Sequence, residues 1–155
     1  MRGPAASPME IRLRGILLLV LLAGMIGTGV ELVLLEHMET MSQLIPILAI
    51  AAGIVSAIGV AIGRTPGTIR ILQFVMASFV LSGGLGVYYH YKGNIEFELE
   101  TYPTMAGFEL FRESMMGAFP ALAPGAMAWL GLLGLAFAYK HPWVRNNGPT
   151  MGGTS

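Results

Sequence analysis

The chain has 155 residues, 54% of them hydrophobic and 12% charged, with a formal net charge of zero. That charged share is roughly half of what a soluble domain carries, and a neutral chain offers no basic field for nucleic acid, so nucleic acid is not an expected partner. The absence of Cys excludes disulfides, thiolate metal centres and Cys nucleophiles.

Residues 1–14, which begin MRGPAASP, read as a Gly/Pro/Ser-containing cytoplasmic tail. The first apolar run, about residues 15–35, is long enough to cross a bilayer core of about 30 Å. No small-residue cleavage pattern follows it, so it is expected to be a retained helix rather than a signal peptide. It is interrupted by Glu31 and ends in Glu36-His37-Met38-Glu39. A second span covers about residues 44–63, with Pro46 expected in its first turn, where a missing N–H does no harm. A third covers about 71–89.

An outer loop, 90–118, follows. In it Ile95, Phe97 and Leu99 alternate with Glu96, Glu98 and Glu100, which predicts an extended segment with one apolar face. Thr104 then starts a short amphipathic helix with Phe108, Phe111 and Met115 on one side and Glu109 and Glu113 on another, suited to the membrane surface. One long kinked helix into the next span is the alternative. The fourth span is placed at about 119–139, its start blurred by Pro120 and Pro124. Residues 15–143 thus form the membrane domain, and 144–155 read as a second flexible tail. The fold class is all-α, an integral membrane four-helix bundle.

Arg2, Arg12, Arg14, Arg64, Arg70, Lys140 and Arg145 flank one side of these spans; the other side holds only Lys92 and Arg112 with seven Glu. The positive-inside rule therefore expects both termini in the cytoplasm and the acidic loop outside. Small residues at helical spacing, including Gly27, Gly53, Ala57, Ala61, Ser82 and Gly86, are expected to let helices approach closely. They serve the chain's own bundle first, and the wide small face of the second span also suits self-association or another subunit.

Three groups carry candidate chemistry. Glu31 is an intramembrane carboxylate, with Ser78 or Ser82 as expected hydrogen-bond partners. His37 and His90 stand at the same ends of their spans and suit the axial ligation of a haem b. Glu31, Glu36, His37 and His90 together suit a divalent metal. Against these stands a plainer reading, in which the histidines are ordinary interfacial groups: Glu36 and His37 are adjacent and point apart, and no H-x-x-x-H or E-x-x-H spacing occurs. His37-Met38 with Met41 is a weaker copper(I) pattern, and Glu96, Glu98 and Glu100 lack the Asp/Asn loop of a calcium site. No phosphate-binding Gly loop, nucleophile elbow or H-E-x-x-H motif is present.

The stretches GVELVLLEHMET with Ile45-Pro46, GVYYHYKGNIEFELE, PALAPGAM and YKHP resemble a group of small bacterial four-span membrane proteins. That resemblance implies a bacterial inner-membrane location and a four-helix fold, and it carries over no catalytic or ligand residue. The leading expectation is a non-catalytic accessory or structural subunit of a larger inner-membrane complex, respiratory or photosynthetic. The alternative is a small redox or metal-binding membrane protein using His37 and His90.

Overall fold

In the computed structural model, which describes residues 7–145, the chain is helical throughout, with no strand among the described residues. Helix α1 runs Pro8–Leu34. It begins earlier than the expected span because the Ser7 hydroxyl accepts the Glu10 N–H at 3.1 Å and Pro8 takes the first helical position. Residues 8–14 therefore belong to a helix rather than to a tail. The rest of that expected tail, residues 1–6, lies outside the described residues, as do residues 146–155.

A turn with Glu36 at φ 53° leads to Thr40, which forms a reciprocal capping box with Gln43 and starts α2, Met41–Gly63. That cap starts the helix ahead of the expected span, so Pro46 lies inside it rather than in its first turn and removes one backbone hydrogen bond. Arg64 takes a left-handed conformation (φ 50°), and Thr65 caps α3, Pro66–Thr101.

At 36 residues, α3 is roughly 54 Å long. The expected extended segment at Ile95–Glu100 is instead its last turns. An established helix extends cheaply, one hydrogen bond per residue added, and Lys92 pairs with Glu96 at 3.4 Å across one turn. The helix stops only where Pro103 forces Tyr102 out of the helical region, to φ −131° and ψ 79°.

Helix α4, Gly107–Met115, is a short amphipathic element as the sequence predicts, but it starts after Ala106, with no side-chain cap, rather than at Thr104. The fourth apolar segment differs from expectation: residues 116–124 form turns, and α5 spans only Gly125–Ala138, roughly 21 Å. Pro120 and Pro124 supply no N–H to a helix at those positions. A single turn, α6 (Pro142–Arg145), follows.

The long helices pack as a four-membered ring: α1 touches α2 and α5, and α3 touches α2 and α5, so α1 and α3 stand diagonally. Leu21, Met25, Ile50, Val60, Leu72, Met76 and Phe79 fill the centre. The closest approach is between α3 and α5. A Cβ on Gly131 would lie 2.6 Å from the Met76 carbonyl, and one on Gly83 would lie 2.5 Å from the Ala128 nitrogen. Only glycine permits backbone contact of this kind, which is how helices gain packing energy where lipid supplies no hydrophobic drive.

Around the ring, Ile16, Leu19, Phe74, Leu81 and Trp129 are exposed. Three helices, α1, α2 and α3, are long and apolar enough to cross a membrane. So continuous an apolar surface suits lipid and would be a liability in water. The fold is that of a helical membrane protein. Arg12, Arg14, Arg64, Arg70 and Lys140 mark one end of the ring, here the basic end; Glu36, Glu39 and the loop glutamates mark the acidic end.

Candidate functional site

Polar chemistry gathers at the two ends of α5. At the acidic end the corner before it has lost helical hydrogen bonding, and α3 supplies the replacements. Asn94 is 1% exposed. Its Nδ2 donates to the Ser114 carbonyl at 2.8 Å and to the Phe119 carbonyl at 2.7 Å, and its Oδ1 accepts the Phe119 N–H at 3.0 Å. The side-chain amide thus pairs with Phe119 as a peptide group would, using both kinds of polar atom it has. Gly117 makes room for it, since a Cβ there would lie 2.7 Å from Asn94 Cγ. One turn below, His90 places Nδ1 3.1 Å from the Pro120 carbonyl and so donates to it. The Ser114 hydroxyl beside this cluster is enclosed with no partner among the described residues.

The sequence-derived candidates are spread over separate elements. His90 is engaged with Pro120, and His37 lies in the turn after α1; neither a hydrogen bond nor a ring contact joins them among the described residues. No group of three or more His, Asp or Glu comes together in a metal-holding arrangement among those residues, so Glu31, Glu36, His37 and His90 are not brought together as one. Glu31 is exposed on α1, and Ser78, one of its two expected partners with Ser82, instead returns its hydroxyl to the Val75 carbonyl at 2.7 Å. The diagonal placement of α1 and α3 is the reason.

Of the expected packing residues, Gly53 lies under Met25 and Phe79, Ala57 is fully buried, and Gly86 meets Pro124. Ser82 is half-buried. Gly27 and Ala61 face outward, with nothing within 4 Å of a Cβ added at Gly27.

At the basic end, Arg14 reaches across from α1 to the end of α5. Its guanidinium donates to the carbonyls of Phe137 and Tyr139, the latter at 3.1 Å, and pairs with Glu10 at 3.0 Å. A cation on the last carbonyls of a helix satisfies acceptors the helix cannot and offsets its dipole. His141, just beyond α5, is buried between the rings of Phe137 (5.3 Å) and Trp143 (4.6 Å). The backbone N–H of Trp143 donates to its Nδ1 at 3.4 Å. Burial lowers its pKa from 6.5 to about 4, helped by the Arg14 charge and opposed by Glu10.

Two concavities lie on the described surface. One, of about 360 Å³, lies between α1 and α2 and is lined by Met25, Ile26, Gly29, Val30, Val33, Leu34 and Ile54, none with a polar side chain. The other, of about 420 Å³, lies between α3 and α4 and holds Glu98, Glu109 and Glu113. The second also holds the Tyr102 and Thr104 hydroxyls, and no hydrogen bond joins either to a carboxylate among the described residues. Asn94 and His141 were not among the residues singled out from sequence. A signal existed for Asn94: with Gly83, Gly86 and His90 it lies on one stripe of α3, visible once the helix is carried past His90.

Compared with protein-family models, curated proteins and solved structures, the chain matches none.

Proposed function

We propose that the protein is a non-catalytic accessory or structural subunit of a larger assembly in a bacterial inner membrane. It crosses four times, α5 serving as the fourth span, with the basic end in the cytoplasm. The observation that carries the reading is Glu31. Its carboxylate sits about one turn inside the acidic end of α1, on the outward surface, with no ion pair among the described residues. Carboxylates at such depth are costly in lipid and are kept where a neighbouring chain or a water path receives them. Gly27, one turn below, leaves the same face open to a second helix. The fixed internal hydrogen bonding at both ends of α5 suits a scaffold rather than a moving catalyst.

Native mass spectrometry of the protein drawn from its own membranes in mild detergent tests this. The expected result is a particle far heavier than 16.5 kDa containing other polypeptides in fixed ratio. That ratio should be lost in Glu31→Leu and kept in Glu31→Asp. A lone chain, or an assembly indifferent to both substitutions, would end the reading.

A further inference from the structure

We propose that α4 is an in-plane anchor seated in the bilayer surface at the acidic end. Its Phe108–Phe111 face lies at the boundary of headgroups and acyl chains, and its Glu109–Glu113 face is turned to water. The argument is one of height along α3. At a rise of 1.5 Å per residue, the stretch from Arg70 to His90 covers about 30 Å, the thickness of the hydrocarbon core. His90 and Tyr91 therefore mark the membrane surface, and the turns of α3 beyond them stand above it.

Helix α4 is tied to α3 at two heights by two different faces. Phe111 meets the Tyr91 ring, centroids 6.0 Å apart, at the level of the surface. Glu109 and Glu113 share a cleft with Glu98, two turns higher and so roughly 10 Å further out. One face is thus held low and the other high. The low face is apolar, with Phe108 78% and Phe111 48% exposed. Tyr88 and Tyr89, exposed on α3, continue it as an aromatic band at the same level.

From the end of α4 the chain descends along α3 through Met116, Phe119 and Leu122, all exposed, to Pro124, which packs on Gly86. The apolar face of α4 is therefore continuous with the lipid-facing wall of the bundle. A helix amphipathic in this way binds interfaces through buried apolar area. The attraction is apolar and not electrostatic: the cations at this end among the described residues, Lys92 and Arg112, are already paired with Glu96 and Glu113, and the high face is acidic. The lipids it fits are zwitterionic. The inference rests on the membrane fold and needs no partner subunit.

The chain lacks Cys, so single substitutions allow one label each. The experiment places an environment-sensitive fluorophore on Phe108→Cys, Phe111→Cys, Glu109→Cys and Glu113→Cys, with the full-length protein in phosphatidylcholine vesicles. Labels at 108 and 111 should be quenched at least about twofold more than those at 109 and 113 by lipids carrying a nitroxide near the headgroup. Aqueous iodide should show the reverse order. Adding phosphatidylglycerol should leave the lipid quenching unchanged.

Equal access of iodide to all four sites would place α4 in water and overturn the proposal. Shielding of 108 and 111 from both quenchers would overturn it too, in favour of a protein covering that face. The two phenylalanines are probed separately, so loss of folding in one variant leaves the other to decide.

Discussion

Helix α5 is fastened at both ends by side chains from its neighbours, and the two fastenings differ in kind. At the acidic end Asn94 and His90 of α3 hold the Phe119–Pro120 corner by hydrogen bonds from an amide and an imidazole. At the basic end Arg14 of α1 holds the last carbonyls with a full charge and shares that charge with Glu10. The difference follows surroundings. Asn94 is enclosed by protein, where an ion would forfeit its hydration and a neutral amide can be fully satisfied. The Arg14–Glu10 pair keeps 17% and 29% of its side-chain surface open, enough to leave both ions partly hydrated. A buried joint in a membrane bundle is built from amides, and a joint at the water boundary can use charge.

The largest effect tests the enclosed joint. Asn94→Leu removes three hydrogen bonds and leaves the Phe119 N–H and two carbonyls unpaired, which should cost about 3 kcal/mol. Reversible unfolding in mixed detergent micelles measures it, and a loss below about 0.5 kcal/mol would mean that the prolines hold the corner unaided. Next comes Arg14→Gln, expected to cost about 2 kcal/mol by stripping the charge-assisted bonds to Phe137 and Tyr139. Arg14→Lys should recover only part of that, because an ammonium lacks the planar fork that spans two carbonyls. Salt separates the joints: raising ionic strength should shrink the Arg14 effect and leave that of Asn94 unchanged.

How far these joints could be read beforehand depended on what each element used as its signal. The apolar runs of α1, α2 and α3 announce themselves, whereas the Thr40–Gln43 cap, outside the apolar run, is missed when the second span is started at residue 44. Ile95–Glu100 misled because six alternating residues fit a strand, while the helix that claims them is nucleated far upstream at Thr65. Ending α3 early then hid Asn94, whose meaning depends on a corner more than twenty residues later. Glu31 reads from sequence as a carboxylate in need of a partner, and it lies exposed on α1. The expected partner, a serine on α3, was wrong because the ring sets α1 and α3 diagonally, and such placement is tertiary information. His141 drew no attention because nothing local shows that Phe137 and Trp143 close over it.

The basic joint should also respond to acid, whereas the amide of the acidic joint cannot. His141 carries a pKa near 4 when folded and near 6.5 when unfolded. Between those values the unfolded chain binds a proton that the folded chain refuses, so stability rises with pH through this window and falls as pH drops from 6.5 toward 4. At pH 7 the term vanishes. His141→Gln should flatten the fall, read as the melting temperature in detergent from pH 7 to pH 4. An unchanged slope would assign the acid sensitivity to the glutamates instead.

The smallest effect belongs to His90, and it sharpens the comparison at the acidic end itself. Its single hydrogen bond to Pro120 is half-open to the surface, so water can replace it in His90→Ala at a cost of about 0.5 kcal/mol. The Phe119 ring, whose centroid lies 6.2 Å from the imidazole, loses a neighbour as well, but it is itself exposed. The ratio of the Asn94 and His90 losses is therefore the informative quantity. A ratio near six follows if three enclosed bonds are each worth about twice the open one. Equal losses would mean that bond count and depth are irrelevant and that the corner gives way as one unit, with Asn94 and His90 coupled. A double variant decides between the two: separate contributions add, and a coupled corner loses no more than Asn94→Leu alone.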